Sequence, residues 1–193
     1  AFLSTEDEHF DSFAAMYYEE LEKLYGKAKY YSMDPFHEGG NTEGVDLAKA
    51  GTSIMGAMKK ANPEAVWVMQ AWQANPREAM VNTLDSSDLL VLDLYSEKLP
   101  QWGDPESMWY REKGFGKHDW LYCMLLNFGG NVGLHGRMEQ LVNGYYNACA
   151  HVNGKTLRGV GATPEGIENN PVMFELLYEL PWREERFSPD EWL

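Results

Sequence analysis

Apolar positions along this chain follow two periods that alternate. Over residues 5–25, Phe10, Phe13, Tyr17, Leu21 and Leu24 recur every three or four positions, which predicts a helix with one apolar face. Ser4-Thr5 ahead of Asp7 and Glu8 offers capping-box spacing at its start, and Gly26 a C-cap at its end. Residues 28–33 are a short apolar and aromatic run, read as a strand that stops at Asp34-Pro35. A second helix is predicted over 42–60, with Val45, Ala48, Met55 and Met58 inward and Asn62-Pro63 as its stop. Residues 65–72 (AVWVMQAW) predict a buried strand, and Asn75-Pro76 has the chemistry to open a short helix up to Leu84. Residues 89–94 (LLVLDL) are apolar almost throughout, as suits a parallel strand covered on both faces.

A long irregular stretch follows over 95–119, carrying Trp102, Trp109, Tyr110 and Phe115 among Gly, Pro and charges. Loops of that length in a compact domain are usually functional or disordered. The pattern then resumes with a strand over 120–126 and a helix over 137–152, which turns Met138, Leu141, Val142, Tyr145 and Cys149 inward. A fifth strand is predicted over 157–162. Asn170-Pro171 starts a last helix with Phe174, Leu177 and Tyr178 on its inner side, and Pro181 ends it. The tail over 183–193 is polar, with one exposed-looking aromatic, Trp192.

Strict alternation of strand and helix implies a parallel α/β fold. Five strands are too few for a closed eight-stranded barrel, and the count also fits a doubly wound sheet. The strand ends favour the barrel. Each is loaded with polar or aromatic residues: Glu38; Gln70 and Trp72; Asp93 and Glu97; Asn127 and Asn131; Glu165. A dinucleotide-binding sheet would carry a GxGxxG turn after its first strand, and the loop here has none.

Composition narrows the function classes. The 193 residues are 44% hydrophobic and 13% aromatic, enough for one domain with a sizeable core. A formal net charge of −14 disfavours nucleic acid as a partner, and no apolar run is long enough to suggest a membrane partner. No signal peptide opens the sequence, and the first residue is not Met, as in a processed chain or a cut-out piece. The two cysteines, Cys123 and Cys149, sit in apolar patterns and read as core thiols. No HExxH or CxxC occurs, so no metal site is expected, and no cofactor is implied.

Two short stretches carry the candidate chemistry. YYSMDPFHEGG (residues 30–40) and LRGVGATPEGI (residues 157–167) each run from an apolar segment through a Pro to a Glu followed by Gly. Glu38 and Glu165 thus stand just past two strands, the arrangement of paired carboxylates that cleave a glycosidic bond. The plainer reading is two loop carboxylates in an acidic protein. Trp72 could be core or a sugar-stacking wall, and Gln70 is undecided between faces. Asn127 and Asn131 flank Gly129-Gly130, either as amides for sugar hydroxyls or as a Gly-rich turn.

At these residues the sequence resembles the α-N-acetylglucosaminidases of glycoside hydrolase family 89. The matching strings are MDPFHE, EAVWVMQAW, LLVLDLYSE, YCMLLNFGGN and GATPEGI, in that order, and the likeness covers essentially the whole chain. The resemblance implies a partial (β/α)8 TIM-type barrel. The chain would be a single segment, the C-terminal portion of the barrel, without the N-terminal domain, the first strands or the C-terminal helical domain. It implies retaining hydrolysis of terminal, non-reducing α-linked N-acetylglucosamine, with Glu38 matching the acid/base, Glu165 the nucleophile and Trp72 an aromatic wall. Many members have Asn before the acid/base, where this chain has His37, which can also donate a hydrogen bond. The implied setting is secreted, periplasmic or lysosomal, and the implied partner is a glycan capped by α-N-acetylglucosamine. The alternatives are a degenerate barrel that only binds carbohydrate, or an inactive fragment that self-associates or awaits the rest of its barrel.

Overall fold

The computed structural model describes residues 3–128, 133–166 and 169–193. Strands β1 (Tyr30–Ser32), β2 (Val66–Ala71), β3 (Leu89–Asp93), β4 (Asp119–Met124) and β5 (Leu157–Ala162) alternate with helices α1 (Phe10–Tyr25), α2 (Leu47–Ala61), α3 (Glu78–Val81), α4 (Met138–Ala150), α5 (Pro171–Glu179) and α6 (Pro189–Trp192), except that a long loop and no α-helix joins β3 to β4. The hydrogen-bonded strand order is β1-β2-β3-β4-β5. A β/α barrel lays its staves down in sequence order, whereas a doubly wound sheet reverses at a switch point, so the order decides for the barrel topology. The chain divides into two compact units, residues 1–70 with 74–90, and residues 71–73 with 91–193.

In the first unit β1 pairs parallel with β2, Tyr30 opposite Val66 and Ser32 opposite Val68. Helix α2 starts where Asp46 accepts a hydrogen bond from Lys49 N at 3.0 Å, and ends at Asn62 as the Asn-Pro pair predicts. Its buried side is Ala50, Gly51, Ile54, Met55, Ala57 and Met58. Gly51 lets α3 close in, since a Cβ there would lie 2.2 Å from the Met80 carbonyl oxygen.

Helix α1 departs from expectation at both its start and its faces. It begins at Phe10, because Ser4 Oγ and Asp7 Oδ1 spend themselves on Glu6 N and His9 N in turns before it. None of its residues is buried, and Phe13, Tyr17 and Leu24 are more than half exposed. Phe10, Ala14, Tyr18 and Leu21 are half-buried instead, with the Tyr18 ring edge-on to Tyr31 at 5.2 Å. Gly26 does cap the helix, donating to Glu22 O at φ 80°. The Asn75-Pro76 bond is cis and α3 starts only at Glu78, so Asn75 is not a cap.

In the second unit β4 pairs parallel with β5, with an irregularity between Trp120 and Leu121. The core holds Trp120, Tyr122 and Met124 from β4, Leu141, Val142 and Tyr145 from α4, and Met173, Leu176 and Leu177 from α5. Asn170 caps α5 by accepting from Val172 N at 3.1 Å, with Pro171 in the first turn, as predicted. Four expected inward residues are not fully inward, among them Met138, which is only half-buried. Cys149 is exposed and Ala148 takes the buried position, Tyr178 is exposed, and Phe174 is only half-buried. In the tail Trp192 is half-buried, its indole N–H on Glu179 at 2.7 Å, while Trp182 is the exposed tryptophan.

Candidate active site

The first unit carries His37, Glu38 and Gln70. Strand β1 ends at Ser32, but its exit stays tied to β2. Met33 N donates to Val68 O at 3.3 Å, and Trp67 Nε1 donates to Met33 O at 2.7 Å. The next residue, Asp34, accepts from Gln70 N at 2.7 Å and from Asn75 Nδ2 at 2.9 Å on the same oxygen. Asn75 Nδ2 also donates to Gln70 O at 2.5 Å. Burial pushes the Asp34 carboxyl above the usual range, against the opposing pull of the Gln70 amide, Asn75 and His37.

Past Pro35 the backbone makes a tight 3₁₀ turn over His37–Gly39. Phe36 (φ 59°), Glu38 (φ 48°) and Gly39 (φ 84°) are all left-handed, and two of them carry side chains. Such residues cost of order 1–3 kcal/mol each and cluster at functional sites. The Gly-Gly pair has a specific use: a Cβ on Gly40 would stand 2.5 Å from Phe36 Cα, so only glycine lets the turn fold back on itself. Glu38 is exposed, whereas Nε2 of His37 is buried with no hydrogen-bond partner among the described residues.

The second unit carries Trp72, Asn127 and Glu165. Trp72 is 8% exposed. It stacks on Tyr95 at 6.3 Å and meets Trp109 and Phe128 edge-on at 4.7 and 5.3 Å. Leu94, Leu99 and Leu125 complete the cluster. Its indole Nε1 is buried without a partner among the described residues. Asn127 is buried in the left-handed region (φ 63°) and donates through Nδ2 to Asn169 Oδ1 at 3.1 Å. Glu165 is exposed three residues beyond β5, where its backbone N–H donates to Leu126 O at 3.1 Å. Asn131 lies outside the described residues.

Two buried carboxylates anchor the long loop after β3. Asp93 Oδ2 accepts from Gln101 N at 2.9 Å and Trp102 N at 3.1 Å. Burial raises Asp93 to about 7, opposed by those two amides, Ser96 and Arg111. Glu97 accepts from Leu125 N with both oxygens, at 3.1 and 3.3 Å, and burial raises it to about 8. Gln101 Oε1 accepts from Arg111 Nε at 2.6 Å, and Arg111 reaches Gln73 O at 3.4 Å, beside Trp72. Asp93 thus serves the loop's backbone, and Glu97 ties the loop to the exit of β4.

Sequence reasoning missed Asp34, Asn75 and Asn169 as partners of the candidate residues, and Tyr95 and Phe128 as partners of Trp72. The MDP string held a signal for Asp34, but it reads as a strand stop. Among the described residues no group of three or more His, Cys, Asp or Glu could hold a metal ion. None of the helices described is long and apolar enough to cross a membrane.

Comparison with known proteins bears on what this geometry belongs to. The family described as the α-N-acetylglucosaminidase (NAGLU) TIM-barrel domain matches residues 1–184. Human α-N-acetylglucosaminidase is 35% identical over 95% of this chain, which spans 25% of that protein's length. A family 89 glycoside hydrolase from Clostridium perfringens, in complex with 2-acetamido-1,2-dideoxynojirmycin, superposes with a TM-score of 0.84 and is 33% identical. It covers all of this chain and 21% of its own. A form of the Clostridium perfringens protein with two glutamates replaced by glutamine, in complex with its substrate GlcNAc-α-1,4-galactose, gives the same TM-score at 31% identity. The chain therefore spans about a quarter of the human relative and about a fifth of the bacterial one. Matched over nearly its whole length, the chain belongs to the α-N-acetylglucosaminidase TIM-barrel domain family.

Proposed function

We propose that this chain supplies both catalytic carboxylates of a retaining exo-glycosidase, which removes terminal non-reducing α-linked N-acetylglucosamine from glycans. One observation carries the reading: Glu38 and Glu165 are each exposed on the turn that leaves the C-terminal end of a strand, the face where barrel enzymes do their chemistry. The bacterial relative, held with its substrate after two glutamates were changed to glutamine, supports a two-glutamate mechanism. Glu165 attacks the anomeric carbon while Glu38 protonates the departing oxygen. Water activated by Glu38 then releases the sugar from Glu165. Retention needs the two carboxyl groups about 5–5.5 Å apart. Trp72 and its aromatic neighbours form an apolar wall for the sugar ring, and His37, Gln70, Asn127 and Asn131 offer polar groups to its hydroxyls and acetamide. The setting is a secreted, periplasmic or lysosomal one, where such glycan ends are exposed.

The test uses the full-length protein and two substrates, GlcNAc-α-1,4-galactose and an aryl α-N-acetylglucosaminide with an acidic phenol. Glu165→Gln abolishes cleavage of both, since no turnover avoids the nucleophile. Glu38→Gln loses about 10²- to 10⁴-fold on the disaccharide, the usual worth of general acid catalysis. On the aryl substrate it shows a burst of phenol followed by a slow steady state, because the covalent sugar waits for its base. The opposite pattern would exchange the two roles.

A second reading concerns the 193 residues by themselves: an incomplete barrel without activity. It is favoured by the apolar face that α1 leaves bare, with Phe13, Met16, Tyr17, Leu24 and Tyr25 all exposed. Beside it an apolar hollow of about 360 Å³ is lined by Phe10, Met33, Pro35, Phe36 and Ile54. Turnover by the isolated chain would refute this second reading.

A further inference from the structure

We propose that Asp34 is a positioning residue for Glu38: it staples the exit of β1 to the exit of β2, so that the strained turn between them presents the acid in one orientation. The inference rests on the proposed role of Glu38 and extends it to a residue that acts through the backbone, by its hydrogen bonds to Gln70 and Asn75.

The turn from Phe36 to Gly39 is a strained one. Three of its four residues are left-handed, and non-glycine residues leave that region readily unless their surroundings forbid it. Both of its ends are fixed. At the far end Gly40 N donates to His37 O at 3.2 Å and its backbone lies against Phe36. At the near end the chain is fixed at two successive residues, Met33 by Trp67 Nε1 and Asp34 by Gln70 N and Asn75 Nδ2. The Asp34 contact is the last anchor before the turn, four residues from Glu38. Asn75 closes the arrangement by bonding Gln70 O as well, so one amide spans both groups that meet Asp34. A carboxylate suits this place because one of its oxygens accepts two donors at once. Removing it takes this shared acceptor from the part-buried Gln70 N–H and from Asn75 Nδ2, and frees the turn's entry.

A loosened turn keeps the Glu38 carboxyl in the protein but takes it off the line to the leaving oxygen. The consequence is a selective loss, which a general loss of stability would not give. In the full-length protein, Asp34→Ala lowers kcat/KM about 10- to 100-fold on GlcNAc-α-1,4-galactose, whose leaving group needs the proton. It lowers kcat/KM less than threefold on an aryl substrate with an acidic phenol, because kcat/KM reports the first step, where the acid is then dispensable. Asn75→Ala, which keeps the carboxyl and removes one of its two donors, shifts the ratio of the two constants in the same direction by a smaller factor. It serves where Asp34→Ala does not fold. Equal losses on the two substrates, or none, in either variant would overturn the positioning role while leaving that of Glu38 intact. If Glu38→Gln itself fails to discriminate the two leaving groups, the assignment of Glu38 falls first, and this inference with it.

Discussion

Asp93 is fully buried, which disfavours its charge, and two backbone amides, Ser96 and Arg111 offset only part of that cost. Glu97 stands in a similar position, with Leu125 N, Arg137 and the repulsion of Asp93 around it. Both hold their protons in the fold up to about pH 7 and 8, whereas in the unfolded chain they release them near the ordinary carboxyl values of 3.8 and 4.5. Between those limits the folded state binds more protons than the unfolded one, so stability falls as pH rises and levels off above about pH 8. Thermal melts from pH 5 to pH 8 should show Tm dropping. Asp93→Asn, which keeps an oxygen for Gln101 N and Trp102 N, should flatten part of that slope. An unchanged slope would mean that Asp93 is ionised in the fold throughout. None of this was legible beforehand: an Asp at a strand end reads equally as a ligand, a cap or a surface acid. The same holds for Asn75, which has the spelling of a helix cap but spends its amide on Asp34, 41 positions away. Local spelling does not reveal a partner that only the fold brings near.

At the scale of elements the two periods were read well. Every predicted strand exists, and so does every predicted helix, because periodicity reports how a segment meets its neighbours. What periodicity does not report is whether a neighbour is there. The stripe on α1 is as apolar as that on α2, yet α2 buries Met55 and Met58 while α1 buries nothing. On α5 the inward side is shifted by one position, to Met173, Leu176 and Leu177, because the inner face is chosen by what packs on it. This difference predicts opposite responses to mutation in the 193-residue chain. Met58→Ala, at 1% exposure, should cost about 2–5 kcal/mol in chemical denaturation. Phe13→Ser and Leu24→Ser together should change stability by less than about 1 kcal/mol and should raise solubility. A large loss from the α1 pair would show that this face is covered in solution. The strand ends that carry Glu38 and Glu165 were legible, and the loop partners were not, as with Tyr95 and Phe128 around Trp72.

For the whole molecule, two forces act against each other between copies of the chain. A net charge of −14 keeps copies apart, and the bare face of α1 draws them together. Salt weakens the first and leaves the second, since the screening length falls from about 30 Å at 0.01 M to about 8 Å at 0.15 M. Light scattering on the isolated chain should therefore show self-association growing with ionic strength, and the α1 pair of serines should abolish the growth. A mass that stays monomeric at all salt concentrations would contradict the account of α1. The two cysteines bear on how such experiments can be read out. Cys123 is shut inside the second unit, and burial raises its thiol far above the range where it reacts. Cys149 is open on α4, its thiol raised more moderately. The chain thus comes with its own single attachment point for a spectroscopic reporter, usable at mildly alkaline pH and without altering any residue of the candidate site.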